Sequence, residues 1–325
     1  MLFKLRRLAR QAIILQYFSR NFGIARGVRR NTRGTEDEIA RQSGKRDLDK
    51  MKYYNREFDW NDSNLVSQYD ELPLWSSYFA QILLDNIPMD NFKYYLDVGC
   101  GTGFPLIDIC QKIGNGCKGY GIDPWGKAVE RTRIKLSTLG LENIEIIESS
   151  ATNIPFENNF FGLITSNVGI NNFSEPEKVL AESYRVLKSN GHICITSNLT
   201  GTFQEFYDIY KETLIDIGLE KYSDALERHI NHRGTPQSIS TMFENTGFKI
   251  LRKIETSFSL RFLNGTSFLN HSVIMSGFLG SWKSMFGNNE TEMFFARLEN
   301  NLNNYSKTKG ELKLKVPMLY LECTK

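Results

Sequence analysis

Leu96-Asp97-Val98-Gly99-Cys100-Gly101-Thr102-Gly103 is the stretch on which the fold turns. It ends a short apolar run, Tyr94–Val98, that reads as a buried strand, and it leads into Leu106–Lys112, which reads as a helix. Glycines at alternate positions let the backbone turn tightly and approach a ligand where a Cβ would clash. The N-terminus of the following helix offers unpaired N–H groups to an anionic group. A bare G-x-G says little; between a strand and a helix it has the context the motif requires.

The same alternation continues outward. Gly119–Ile122, Ile144–Glu148, Phe161–Ser166 and His192–Ser197 read as strands, with helices at Lys127–Leu139 and Pro176–Leu187. Strands and helices alternating at this spacing imply a parallel sheet covered on both faces. A helix is predicted near Leu74–Leu84, ahead of the first strand. After Asn198 the pattern gives helices at Phe203–Ile217 and Thr235–Thr246, a strand at Lys249–Ser257, a helix at Glu292–Leu302 and a closing strand at Lys313–Glu322. Asn190-Gly191 reads as a turn.

Two acids define the ligand. Asp97 precedes the glycine loop, where it would repel a pyrophosphate but pair with an ammonium. The G-x-G-x-G spacing also departs from the dinucleotide pattern. Asp123 stands 20 residues after Gly103, at the end of the second strand, where it can accept hydrogen bonds from ribose hydroxyls. A ligand with a nucleoside at one end and an amino acid at the other satisfies both, and S-adenosylmethionine is such a ligand.

On these motifs the chain resembles the class I S-adenosylmethionine-dependent methyltransferases, and within them the small-molecule enzymes similar to the ubiquinone/menaquinone C-methyltransferases. The resemblance covers about Tyr69–Ser197. It implies a Rossmann-like, doubly wound α/β fold: a mostly parallel seven-stranded sheet with an N-terminal helical extension and a helical lid inserted before the last strand. It also implies that Asp97, Gly99, Cys100, Gly101 and Gly103 surround the methionine part of the cofactor. Asp123 would hold the ribose, with Pro124 and Trp125 beside the adenine. Ser150 stands where the family commonly has an acid meeting the adenine amino group, with Ala151 as a backbone contact, and Gly162 replaces a second family acid. Asn167 falls beside the expected methyl-transfer point. Tyr69 is expected to close over the site from the N-terminal side. Asn171 and Asn172 either position the substrate or serve their own turn. His271 lies where resembling enzymes carry a variable substrate cap, and is a candidate general base. Nothing suggests a metal site.

Composition narrows the remaining choices. In 325 residues, 41% hydrophobic and 24% charged content excludes disordered, collagen-like and disulfide-scaffold classes. The net charge of +3 is uneven: residues 1–34 carry nine Lys and Arg and no acid, so the remainder carries −6. An acidic body disfavours nucleic acid as partner, and Asn167 is followed by Val168-Gly169 rather than the Pro-Pro-aromatic motif of base-flipping enzymes. Five cysteines without a C-x-x-C pair argue for a reducing compartment. The uncharged stretch Phe262–Trp282 is interrupted by Asn264, Thr266, Ser267, Asn270, His271 and Ser272, and so is not a bilayer-spanning helix. In residues 1–34, Met1, Leu5, Leu8, Ala12 and Leu15 recur at helical spacing among the cations. That pattern fits a mitochondrial presequence, a helix on an anionic membrane surface or a solvated tail. A cytoplasmic, membrane-peripheral or mitochondrial location therefore stays open. The expected organisation is a basic tail and linker over 1–49, a cofactor-binding core with its N-terminal cap over 50–200, and the rest of the sheet with lid segments over 201–325. The expected activity is methyl transfer by in-line displacement to a small, apolar organic acceptor. The alternative is a non-catalytic assembly or scaffold factor that keeps the fold.

Overall fold

The computed structural model describes residues 52–287 and 290–325; the basic segment 1–34, and every reading of it, lies outside them. Helices Ser63–Glu71 (α1) and Ser76–Asn86 (α2) precede the strand Tyr94–Val98 (β1). Leu106–Ile113 (α3), Lys118–Asp123 (β2), Gly126–Leu139 (α4), Ile144–Glu148 (β3) and Phe161–Asn167 (β4) follow. Pro176–Val186 (α5) leads to Leu187–Asn198 (β5), then Gln204–Asp216 (α6), Ser223–Asn231 (α7), Pro236–Thr246 (α8) and Lys249–Phe262 (β6). Gly265–Leu269 (α9), Ser272–Gly277 (α10), Leu279–Lys283 (α11) and Thr291–Lys309 (α12) stand before the closing strand Leu312–Thr324 (β7).

The seven strands form one sheet in the order β3-β2-β1-β4-β5-β7-β6. All neighbours are parallel except β7, which is antiparallel to both β5 and β6. The order reverses between β1 and β4. In open α/β sheets such a switch point leaves a crevice at the carboxyl ends of the strands, where ligands bind. β1 is central, and its residues Tyr95, Leu96 and Val98 are almost wholly buried, as an apolar run covered on both faces must be.

Two elements depart from the sequence reading. Asn190-Gly191 is not a turn between elements but a kink inside β5. Asn190 takes a left-handed φ of 62°, and the pairing with β4 jumps from Phe161↔Leu187 to Leu163↔His192, so the extra residues bulge out. β6 also runs past the expected Ser257 to Phe262. β5 pairs only with Met318–Thr324 of β7, so β6 and β7 continue alone as a two-stranded ribbon to Phe262↔Leu312. The ribbon's Phe258, Leu260 and Phe262 pack on an aromatic core shared with α6 and the helices before β7. Trp282 is fully buried there, with its ring 4.4 Å from that of Phe206 and its Nε1 donating to the Tyr207 hydroxyl at 3.2 Å. Truncating such a side chain costs about 3–5 kcal/mol, so Trp282 anchors α11 to α6.

Candidate active site

The glycine loop joins β1 to α3. Gly99, Gly101 and Gly103 all have positive φ, at 76°, 50° and 92°, a region that side chains with a Cβ avoid. At Gly103 a Cβ would stand 2.8 Å from Thr132 Cγ2, so the loop seats tightly on α4. At Gly101 nothing lies within 4 Å of that position, so this part of the backbone is open to a ligand. Cys100 is buried beneath the loop, and Gly121 admits its sulfur, which a Cβ there would meet at 2.7 Å. Burial pushes its thiol well above the usual range, so its side chain serves packing.

Asp97, at 1% exposure, is the most deeply buried acid of the site. Its Oδ1 accepts from Thr165 Oγ1 at 2.7 Å, and that hydroxyl is in turn 2.7 Å from the Tyr95 hydroxyl. Its Oδ2 has no partner. Burial pushes the carboxyl up to about 7, with Asp123 adding to the rise against the Thr165 hydrogen bond. An unpartnered buried carboxylate oxygen is costly, and an ammonium donor placed there would relieve that cost. Asp123 is fixed differently: Gly101 N donates to Oδ2 and Trp125 N to Oδ1, both at 2.8 Å. These bonds tie the glycine loop to the end of β2. Burial raises Asp123 as well, against those two backbone bonds.

A cavity of about 820 Å³ lies at the same end of the sheet, within the range of small-molecule sites. Trp60, Tyr69, Trp75 and Trp125 line it, as do Val168, Asn171, Asn172 and Asn198. Trp60, Tyr69 and Trp125 pack edge to face, with centroids 5.4–5.8 Å apart, and Trp125 Nε1 donates to the Trp60 carbonyl at 2.9 Å. This cluster holds the segment before β1 against the residues that follow Asp123. Asp70 on α1 secures the same contact from α4, accepting from Arg131 Nε at 2.8 Å and Lys135 Nζ at 2.6 Å.

Several sequence expectations are corrected by position. His271 does not line the cavity; it caps the start of α10 with its ring 5.3 Å from Phe262. The histidines that do line it are His229, in the last turn of α7, and His232, just past its end. The Asn167 amide is taken up internally, accepting from Thr196 Oγ1 at 2.7 Å and donating to the Ser76 carbonyl at 3.1 Å, so it pins α2 to the sheet. Asn171 lines the cavity, yet its amide donates to the Asn198 carbonyl and accepts from Asn198 N and Ser197 Oγ. Asn172 donates to the Val168 carbonyl at 3.3 Å. Ser150 is exposed and paired with Thr152, Ala151 is packed in the core, and Pro124 is exposed. At Gly162, a Cβ would stand 3.0 Å from the Phe92 ring, so a side chain there would crowd that ring. Among the described residues, no group of His, Cys, Asp and Glu could hold a metal ion, and no helix is long and apolar enough to cross a membrane.

Comparison with known proteins agrees with this geometry. A family model described as a methyltransferase domain matches residues 96–195. A demethylmenaquinone methyltransferase of Oceanobacillus iheyensis is 30% identical over 200 residues, covering 57% of this chain and 84% of its own. One of Listeria welshimeri is 30% identical over 172 residues, covering 50% and 72%. The crystal structure of the YcgJ protein from Bacillus subtilis superposes with a TM-score of 0.50 at 16% identity, over 77% of this chain and 98% of that one; it speaks for the fold alone. The glycine loop between two acids, the sheet order and these relatives lead to one conclusion: the chain belongs to the class I S-adenosylmethionine-dependent methyltransferases, similar to the quinone methyltransferases, and S-adenosylmethionine is its cofactor.

Proposed function

We propose that the protein moves the methyl group of S-adenosylmethionine by in-line displacement onto a small organic acceptor with an apolar body. The observation that carries this reading is the unpartnered, buried Asp97 Oδ2 near the end of β1, just before the glycine loop and at the same strand ends as the cavity. The cofactor supplies a methyl group already activated on a sulfonium. The chain's own residues have to bind, orient and exclude water, which is where most of the rate advantage of such a reaction lies. Asp97 receives the ammonium, the open backbone at Gly101 admits the methionine part, and Asp123 receives the ribose hydroxyls beside Trp125. Tyr69 and Trp60 cover that end. The apolar wall formed by Leu74, Trp75, Val273 and Phe278 receives the body of the acceptor. A nucleophile that already carries a lone pair needs no base, so the displacement of His271 from the cavity removes nothing essential.

Ser150 and Gly162, which stand where the family commonly has acids, speak for the scaffold alternative; both site acids and all three loop glycines are present, so the enzymatic reading is favoured. The test is incubation with methyl-labelled S-adenosylmethionine and a panel of lipophilic phenols, quinols and amines. Label recovered in a small acceptor supports the reading. Transfer only to polar side chains of proteins overturns it.

A further inference from the structure

The end of the cavity formed by α7 and the residues after it is basic. Arg228, His229, His232 and Arg233 line it, and no Asp or Glu lines any part of the cavity among the described residues. Arg233 is only 7% exposed. Its buried Nε has no hydrogen-bond partner, and no carboxylate of the described residues pairs with its guanidinium. Glu227, on the same helix as Arg228, is taken by Lys211 at 2.5 Å. His229 adds no charge at neutral pH: burial first, then Arg233 and His232, hold it down at about 4.

Arg233 is also held in place. Thr200, just past the end of β5, donates through Oγ1 to the Arg233 carbonyl at 2.6 Å and through its backbone N to the Gly234 carbonyl at 3.0 Å. These bonds tie the Arg233 backbone to the residues just past β5, and its side chain lines the same cavity as Asn198, at the strand ends where ligands bind. A buried cation without a counter-ion is strongly unfavourable. A guanidinium's planar fork of N–H donors matches a carboxylate or a phosphate in two parallel hydrogen bonds.

We propose that the acceptor carries an anionic group, a carboxylate or a phosphate, and that Arg233 binds it, with Arg228 at the exposed rim. The proposal rests on the reading of the cavity as the acceptor site. It narrows that reading to an apolar body with an anionic end, and it disfavours cationic amines.

The test uses the full chain saturated with S-adenosylhomocysteine, titrated at constant ionic strength with phenylacetate, phenyl phosphate and the neutral phenylacetamide. Wild type is expected to bind at least one anion about tenfold more tightly than the amide, and the tighter anion tells carboxylate from phosphate. In Arg233→Gln the preference should fall below about threefold, and in Arg233→Lys part of it should return. Removing an unpaired buried cation should leave the Arg233→Gln melting temperature at or above that of wild type. Equal binding of charged and neutral probes by wild type overturns the proposal, as does a preference that survives in Arg233→Gln. A parallel loss of S-adenosylhomocysteine affinity in Arg233→Gln also overturns it, because the arginine would then belong to the cofactor's own carboxylate. The same titrations run without cofactor separate the two readings. A folded wild type that binds the anions but not S-adenosylhomocysteine refutes the methyltransferase reading and leaves the anion site standing.

Discussion

Replacing Asp97 by Asn should move stability and cofactor affinity in opposite directions. The carboxyl is almost fully buried, one oxygen lacks a partner, and burial lifts it from 3.8 to about 7. A carboxyl raised on folding costs stability above its unfolded value, so the penalty grows from about pH 4 and is complete above about pH 7. Roughly three pH units correspond to about 4 kcal/mol as an upper bound. Asparagine still buries an amide in that place, so the expected net gain at pH 8 is about 1–3 kcal/mol, or roughly 2–6 °C in Tm, shrinking toward nothing near pH 4. Affinity should fall, because a hydrogen bond between charged groups worth about 1.5–3 kcal/mol is lost, which is roughly 10- to 150-fold. Calorimetric melting at pH 5 and pH 8, with isothermal titration of S-adenosylmethionine, reads both. An Asn variant that binds as tightly as wild type, or that melts lower at pH 8, would refute the reasoning.

Other predictions follow from the same geometry. Cofactor affinity of wild type should rise by up to about tenfold between pH 6 and pH 8, because below about 7 a proton on Asp97 has to be displaced; a flat titration profile would contradict this. Gly103→Ala, at φ 92° with Thr132 at 2.8 Å, should lose about 2 kcal/mol or more in thermal melting. Gly101→Ala, where the space is open, should lose about 1 kcal/mol while weakening cofactor binding more than tenfold, since the new methyl group stands where the ligand approaches. Asp70→Asn should cost about 2–3 kcal/mol, as both cations that hold its largely buried carboxylate are left unpaired, and hydrogen exchange should show α1 losing protection first. Burial opposes ionisation of Asp70, but Lys135 and Arg131 outweigh it and hold the carboxyl below its ordinary range. The anchor's stabilisation is therefore present above about pH 4 and is lost as the pH falls through the folded value. Cofactor binding should also change tryptophan emission through Trp125 and Trp60, and the change should shrink in Trp125→Phe.

Much of the core was legible because its signals are local. The strand, the glycine spacing and the acid 20 residues on all depend on neighbours along the chain, and the backbone angles at Gly99, Gly101 and Gly103 are what those residues are for. What escaped depends on distant segments meeting. Arg233 lies just past the end of α7, where no local pattern marks it; it is buried, and a hydrogen bond from Thr200 to its carbonyl ties it to the residues after β5. Trp60 lies in a polar stretch without periodicity and gains its place by packing on Trp125. His271 lies in an uncharged insert, but its position at the N-terminus of α10 sets its ring against Phe262. Asn167 ends β4 and Asn171 lines the cavity, yet neighbouring backbone takes up their amides, which no spacing rule reveals. The outer residues of β6 pair with β7 alone and pack on the aromatic core before β7, contacts that no local pattern in the sequence announces.

The most direct test of the account is a crystal structure of the full chain with S-adenosylhomocysteine. The account predicts the ligand's ammonium at hydrogen-bond distance from Asp97 Oδ2, its ribose hydroxyls on Asp123 and its adenine beside Trp125. A folded protein that excludes the ligand, or a ligand bound away from both carboxylates, would contradict it.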